Sequence, residues 1–128
     1  MAATAPTRIA QIAIAVRDVE RAKAFYRDTL GLEWIADAPP GLSFFRCGEV
    51  RLMLSRPEGP ETAANSILYY AVEDAAAAHD ALVAKGVVFE QPAHVVGRLG
   101  DNEVSLAICR DSEGNLLGLM SERPAADG

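Results

Sequence analysis

Residues that bind metals or carry redox chemistry are scarce: 128 positions hold two histidines and two cysteines. Cys47 and Cys109 stand far apart, without the short spacing of a zinc site, and two thiols cannot make a disulfide-rich scaffold. A reduced, cytoplasmic protein is the expectation, with one disulfide between them left open. Basic residues are also few. Twelve Lys and Arg face eighteen Asp and Glu, giving a net charge of −6 and an isoelectric point near 4.8. That balance excludes nucleic acid and anionic membrane as partners, because nothing offsets phosphate repulsion. No apolar run approaches the roughly 18–20 residues that span a bilayer, and the opening residues lack the charged and apolar regions of a secretory signal. GxSxG, P-loop, dinucleotide-binding GxGxxG and HExxH motifs are missing too.

What remains is ordinary globular composition: 50% hydrophobic, 23% charged, with mean hydropathy +0.08. A chain of this length makes one domain with a real core. Its strongest feature is an internal repeat. The segment QIAIAVRD beginning at Gln11 has a second version, ILYYAVED, beginning at Ile67. Each is a strand pattern that ends in a helix-capping Asp, and each leads through a helical stretch to a glycine and a second strand. Two like modules sharing one sheet, with a cavity between them, follow from that pattern.

The pattern predicts a strand over 8–16, a helix over 19–30 capped by Asp18 and stopped by Gly31, and a strand over 32–36. After the Ala38-Pro-Pro-Gly41 turn comes a hairpin of 42–47 and 50–55 about Gly48. Residues 56–65 read as a linker. The second copy has a strand over 66–72, a helix over 75–85 capped by Asp74, and a strand over 87–91. A Pro92–Gly100 connection, a strand over 103–110, a turn at Asp111–Gly114 and a last strand over 115–121 complete it. The order is β-α-β-β-β, twice, in modules 8–56 and 66–122 of one domain over 8–122, with tails at 1–7 and 124–128.

With FYRDTLGL beginning at Phe25 and DSEGNLLGLM beginning at Asp111, this plan resembles the vicinal oxygen chelate superfamily, which includes glyoxalases, bleomycin resistance proteins and dioxygenases. The resemblance covers about residues 8–122. It implies an α+β, glyoxalase-like fold in which paired βαβββ modules form a half-barrel sheet with a central cavity. Enzymes of that superfamily hold a divalent metal on strands that match Gln11, Met53, Ile67 and Gly118 here. Only Gln11 offers a hard donor. Ile67 has none, Gly118 has no side chain, and Met53 has a soft thioether, so no metal and no cofactor is expected.

By strand alternation the face that carries metal ligands in relatives holds Gln11, Ala13, Ala15, Arg51, Met53, Ser55, Ile67, Tyr69, Ala71, Leu116, Gly118 and Met120. Small residues, methionines and a tyrosine describe a roomy, largely apolar pocket, with a packed core as the plainer reading. Gln11 would orient a ligand, or be a buried amide satisfied by backbone. Tyr69 would hydrogen-bond or stack. Arg51 would clamp an anion, or be an exposed strand-end residue. His94, with Asp101 and Glu103 near it in sequence, forms the candidate set for a general base, against the reading of a solvated loop histidine. His79 reads as helix surface, Cys47 and Cys109 as buried hydrophobes, Trp34 as core or dimer contact.

The resulting expectation is a metal-independent protein that binds a small molecule, sequestering an apolar or aromatic metabolite or antibiotic, as a homodimer. The alternatives are a metal-free lyase or isomerase with a His or carboxylate base, and an accessory module that binds another protein.

Overall fold

The computed structural model of the chain describes residues 4–125. It divides into two compact units between Asn65 and Ser66, and each has the expected βαβββ order. The ladders join four strands within each unit, giving two four-stranded sheets instead of one continuous sheet. The outermost residues of the expected tails, 1–3 and 126–128, lie outside the described residues.

The first unit runs β1 (Gln11–Ala15), α1 (Val19–Ala24), a π-helical turn (Phe25–Thr29), β2 (Glu33–Ala38), β3 (Leu42–Cys47), β4 (Val50–Ser55) and a 3-10 turn (Pro60–Thr62). Its sheet order is β1-β4-β3-β2, with β1 and β4 parallel. Alternation decides the two faces. Ile14, Leu52, Leu54 and Phe45 are buried on the face that the helix covers. Asp18 starts that helix by accepting from the Arg21 amide at 3.0 Å. Ala22 and Tyr26 then fall one turn apart on its inner side, both buried, and the Tyr26 ring lies 6.2 Å from that of Phe45. The expected helix over 19–30 is continuous in length, but its last turn widens: Leu30 N–H donates to the Phe25 carbonyl at 2.9 Å. Gly31, at φ +84°, ends it in a conformation other residues avoid.

The second unit runs β5 (Leu68–Ala71), α2 (Ala75–Ala84), β6 (Phe89–Leu99), β7 (Asn102–Arg110) and β8 (Leu116–Pro124), in sheet order β5-β8-β7-β6. Asp74 caps α2 by accepting from the amides of Ala76 and Ala77 at 2.9 and 3.2 Å. Two expectations change here. The Pro92–Gly100 connection is instead most of β6, an 11-residue strand. The last strand also runs further than 121, to Pro124. The Asp111–Gly114 turn is held by Asp111 itself, whose carboxylate accepts from the amides of Glu113 and Asn115 at 2.8 and 2.9 Å. Among the described residues no helix is long and apolar enough to cross a membrane.

Candidate functional site

The uncovered face of the first sheet is built from the register. Gln11, Ala13 and Ala15 of β1 stand opposite Arg51, Met53 and Ser55 of β4, and Phe44 of β3 stands opposite Met53. Gln11 lies between two neighbours: its Oε1 accepts from Arg51 Nε at 2.7 Å, and its Nε2 approaches the Met53 sulfur at 3.7 Å. The Arg51 guanidinium sits 5.6 Å from the Phe44 ring centre, close enough for cation–π attraction. Both polar ends of Gln11 are therefore engaged, neither buried nor satisfied by backbone.

Where β1 and β4 end together, a groove of about 1210 Å³ opens within this unit. Its floor is Ala13, Ala15, Met53 and Ser55, and one wall is the β2–β3 turn through Pro39 and Pro40. The other wall is the stretch after β4, from Arg56 to Asn65. Small side chains on the floor leave the volume, and proline makes one wall stiff and flat. Asn65 holds the second wall in place. Its Oδ1 accepts from the Ala15 amide at 2.9 Å and its Nδ2 donates to the Ala15 carbonyl at 3.0 Å. A side-chain amide thus imitates a neighbouring strand on the free edge of β1. Asp37 borders the groove and is held below the usual carboxylate range, first by the hydrogen bond from Lys23 at 2.7 Å and next by that from Ser43.

In the second unit Tyr69 and Gly118 are direct partners across β5 and β8. The tyrosine ring folds over the glycine so closely that a Cβ there would lie 2.8 Å from Cε1, and nearer still to Cδ1. Tyr69 is nonetheless 49% exposed, and Tyr70 points to the buried side as alternation requires. Ile67 is exposed and Met120 half-buried.

The three acid–base candidates do not converge. His94 is a strand residue opposite Leu106, whereas Glu103 stands opposite Arg98 and Asp101 belongs to the turn beyond. At the rise of a β-strand, Leu106 and Glu103 are about 10 Å apart along β7. His94 Nδ1 lies 2.7 Å from the Pro92 carbonyl, a contact that places the proton on Nδ1. His79 packs its ring 4.4 Å from that of Phe89. Cys47 and Cys109 are free thiols. Burial pushes the Cys109 thiol up to about 11, with the Asp111 charge adding to it. Trp34 is exposed, its ring carrying the Lys23 ammonium at 4.4 Å.

Of the ligand-binding candidates, Ala13 and Met53 line the groove, Gln11 and Arg51 are on the same face toward the other end of the strands, and Ile67, Tyr69, Gly118 and Met120 belong to the second unit. Sequence reasoning missed the walls. Pro39 and Pro40 were legible only as a turn, and nothing in the sequence marked Asn65.

The chain belongs to the glyoxalase/bleomycin resistance protein/dioxygenase superfamily, which it matches over residues 8–119. Its fold is similar to that of TnmS3, an antibiotic-binding protein from Streptomyces sp. CB03234, at 23% identity and TM-score 0.74 over 95% of this chain and 99% of that one. It is also similar to lactoylglutathione lyase from Agrobacterium tumefaciens, at 24% identity and TM-score 0.68 over 91% and 94%. TioX from Micromonospora sp. ML1 follows at 17% identity and TM-score 0.72 over 90% and 98%. No curated protein matches.

The superfamily's divalent metal is a poor fit to the residues at its matching positions. Gln11 Oε1 already accepts from Arg51, Met53 offers a thioether, Ile67 has no donor, and the space over Gly118 holds the Tyr69 ring. Hard cations need several oxygen or nitrogen ligands. Among the described residues no three His, Cys, Asp or Glu side chains lie together as a metal site would require.

Proposed function

We propose that this chain is a metal-independent small-molecule-binding protein that sequesters an apolar or aromatic metabolite or antibiotic. The observation that carries this reading is the groove at the end of β1 and β4. Its floor of Ala13, Ala15 and Met53 and its proline wall suit a flat, weakly polar ligand. Gln11 orients it from the side, and in the second unit, taken by itself, Tyr69, Ile67, Gly118 and Met120 are the corresponding candidate ligand-binding residues. The similarity to an antibiotic-binding protein agrees with this reading. The protein is cytoplasmic and acts as a homodimer. Val95, Val96 and Leu99, exposed on the outer strand β6, are the apolar surface that a second copy covers. One domain over 8–122 contains both modules.

A thermal-shift screen of planar antibiotics and acyl metabolites tests the proposal, since a ligand of the native state raises its melting temperature. Hits that lose their effect in Ala13→Leu, whose larger side chain fills the floor, support it. A screen without hits, or hits indifferent to Ala13→Leu, goes against it. The alternative, a metal-free lyase or isomerase, requires turnover that disappears in His94→Ala or Glu103→Ala while binding survives.

A further inference from the structure

A second depression, of about 350 Å³, lies at the opposite end of the first sheet from the groove. Arg8, Arg46 and Arg51 line it, together with Ile35, Glu49 and Val50. Arg46 and Arg51 are direct cross-strand partners in the antiparallel β3–β4 pair, so both side chains leave the same face about 5 Å apart at Cβ. Like charges in that relation are destabilising. In a chain of net charge −6, such a pair is not the by-product of a basic surface.

The three guanidiniums are steered by separate partners. Arg51 Nε donates to Gln11 Oε1 at 2.7 Å, Arg46 Nε donates to Glu33 Oε2 at 3.3 Å, and Arg8 Nη1 donates to the Glu49 carbonyl at 2.9 Å. A guanidinium carries five N–H donors in a fixed fork. These bonds leave the terminal nitrogens of Arg46 and Arg51 for another acceptor. Two forks beside one another, with a third at the rim, match the geometry by which arginine grips an oxyanion with paired hydrogen bonds. An anion between them converts the repulsion of the pair into attraction.

We propose that this depression is a second binding site, for a small oxyanion such as a phosphate or carboxylate group, held by Arg46 and Arg51 with Arg8 at the rim. It shares no lining residue with the groove, and the link between the two is the Arg51–Gln11 hydrogen bond.

The test titrates inorganic phosphate into the full chain against chloride at constant ionic strength, with malonate in a parallel arm. Melting temperature and the Nε–H signals of the arginines in 15N-edited NMR spectra are followed. Saturable shifts of the Arg46 and Arg51 signals, with a rise in melting temperature over the chloride control, are expected. Arg46→Gln and Arg51→Gln should each weaken binding about tenfold or more, the loss of a charge-assisted hydrogen bond, while Arg27→Gln on the helix side leaves it unchanged. Tighter saturation by phosphate or by malonate distinguishes the two sources of the anion. Both arginines are exposed, so these variants fold. Equal responses in wild type, Arg46→Gln and Arg51→Gln, or signals that do not move with either anion, would overturn the site.

Discussion

Adding a single methyl group at Gly118 tests whether Tyr69 closes the position that would carry a metal ligand. Gly118 has no left-handed backbone conformation, so alanine is opposed only by its neighbours. Its Cβ would meet Tyr69 at 2.8 Å or less and Ile108 Cδ1 at 3.3 Å. The ring must swing away. With Tyr69 49% exposed, about half of its surface is at stake. That is roughly 100 Å² at about 25 cal/mol per Å², an upper bound near 2.5 kcal/mol. Replacing glycine in a strand returns about 0.5–1 kcal/mol through backbone entropy. Gly118→Ala should therefore destabilise by about 1–2 kcal/mol in urea unfolding followed by circular dichroism. In a Tyr69→Ala background the same change should be neutral or stabilising by up to about 1 kcal/mol, giving a coupling energy of about 1–3 kcal/mol. An equal effect in both backgrounds would refute the contact between ring and glycine.

Three further outcomes follow from the hydrogen bonds and thiols. Asn65→Ala removes both bonds to the Ala15 backbone; it should cost about 1–2 kcal/mol and speed hydrogen exchange of the Ala15 amide, whereas Asn65→Asp, unable to donate, should recover only part. Asp74 is held below the usual carboxylate range, chiefly by the Ala77 amide and then by Arg123 at 3.0 Å. Its contribution is therefore complete above the unfolded value of about 3.9 and is lost as pH falls through the lower folded value. Acid unfolding of Asp74→Asn should show a weaker fall in stability over that window, and an unchanged profile contradicts the cap. Cys109, buried with its thiol pushed up to about 11, should resist iodoacetamide at pH 8 in the native state and react on unfolding, as mass spectrometry would read.

The modular plan was legible because its signals are local. Alternation of Leu52 and Leu54 with Arg51, Met53 and Ser55 fixed both the hairpin and the face of each side chain. Asp18 and Asp74 marked helix starts by hydrogen-bond chemistry that depends on neighbours only. The Pro92–Gly100 segment misled because Pro and Gly usually punctuate loops. On β6, the outer strand, a missing proline N–H costs no ladder bond, and bulges between Gln91 and His94 and between Val95 and Gly97 absorb the irregular residues. That error put His94 on a loop leading to Asp101 and to Glu103 at the start of the next strand, a set that the strand register pulls apart. The apolar floor of the groove was visible in Ala13, Ala15 and Met53. Its wall at Asn65 and the opposed Arg46 and Arg51 were not, because both depend on which residues a register brings together.

The family motifs divide in the same way. The DSEGN stretch is engaged in its own turn through Asp111, and FYRDTLGL forms the buried Tyr26 contact and the helix end at Gly31. Both explain the fold. One fold therefore accommodates binding proteins and lyases alike, and these motifs do not choose between them.

Calorimetric titration of a screened planar ligand into chelator-treated protein, beside Ala13→Leu, addresses metal-independent binding in the groove most directly. The expected result is one saturable site per chain in the metal-stripped wild type, weakened at least tenfold in the folded variant. Binding that disappears on chelation and returns with a stoichiometric divalent metal would contradict it.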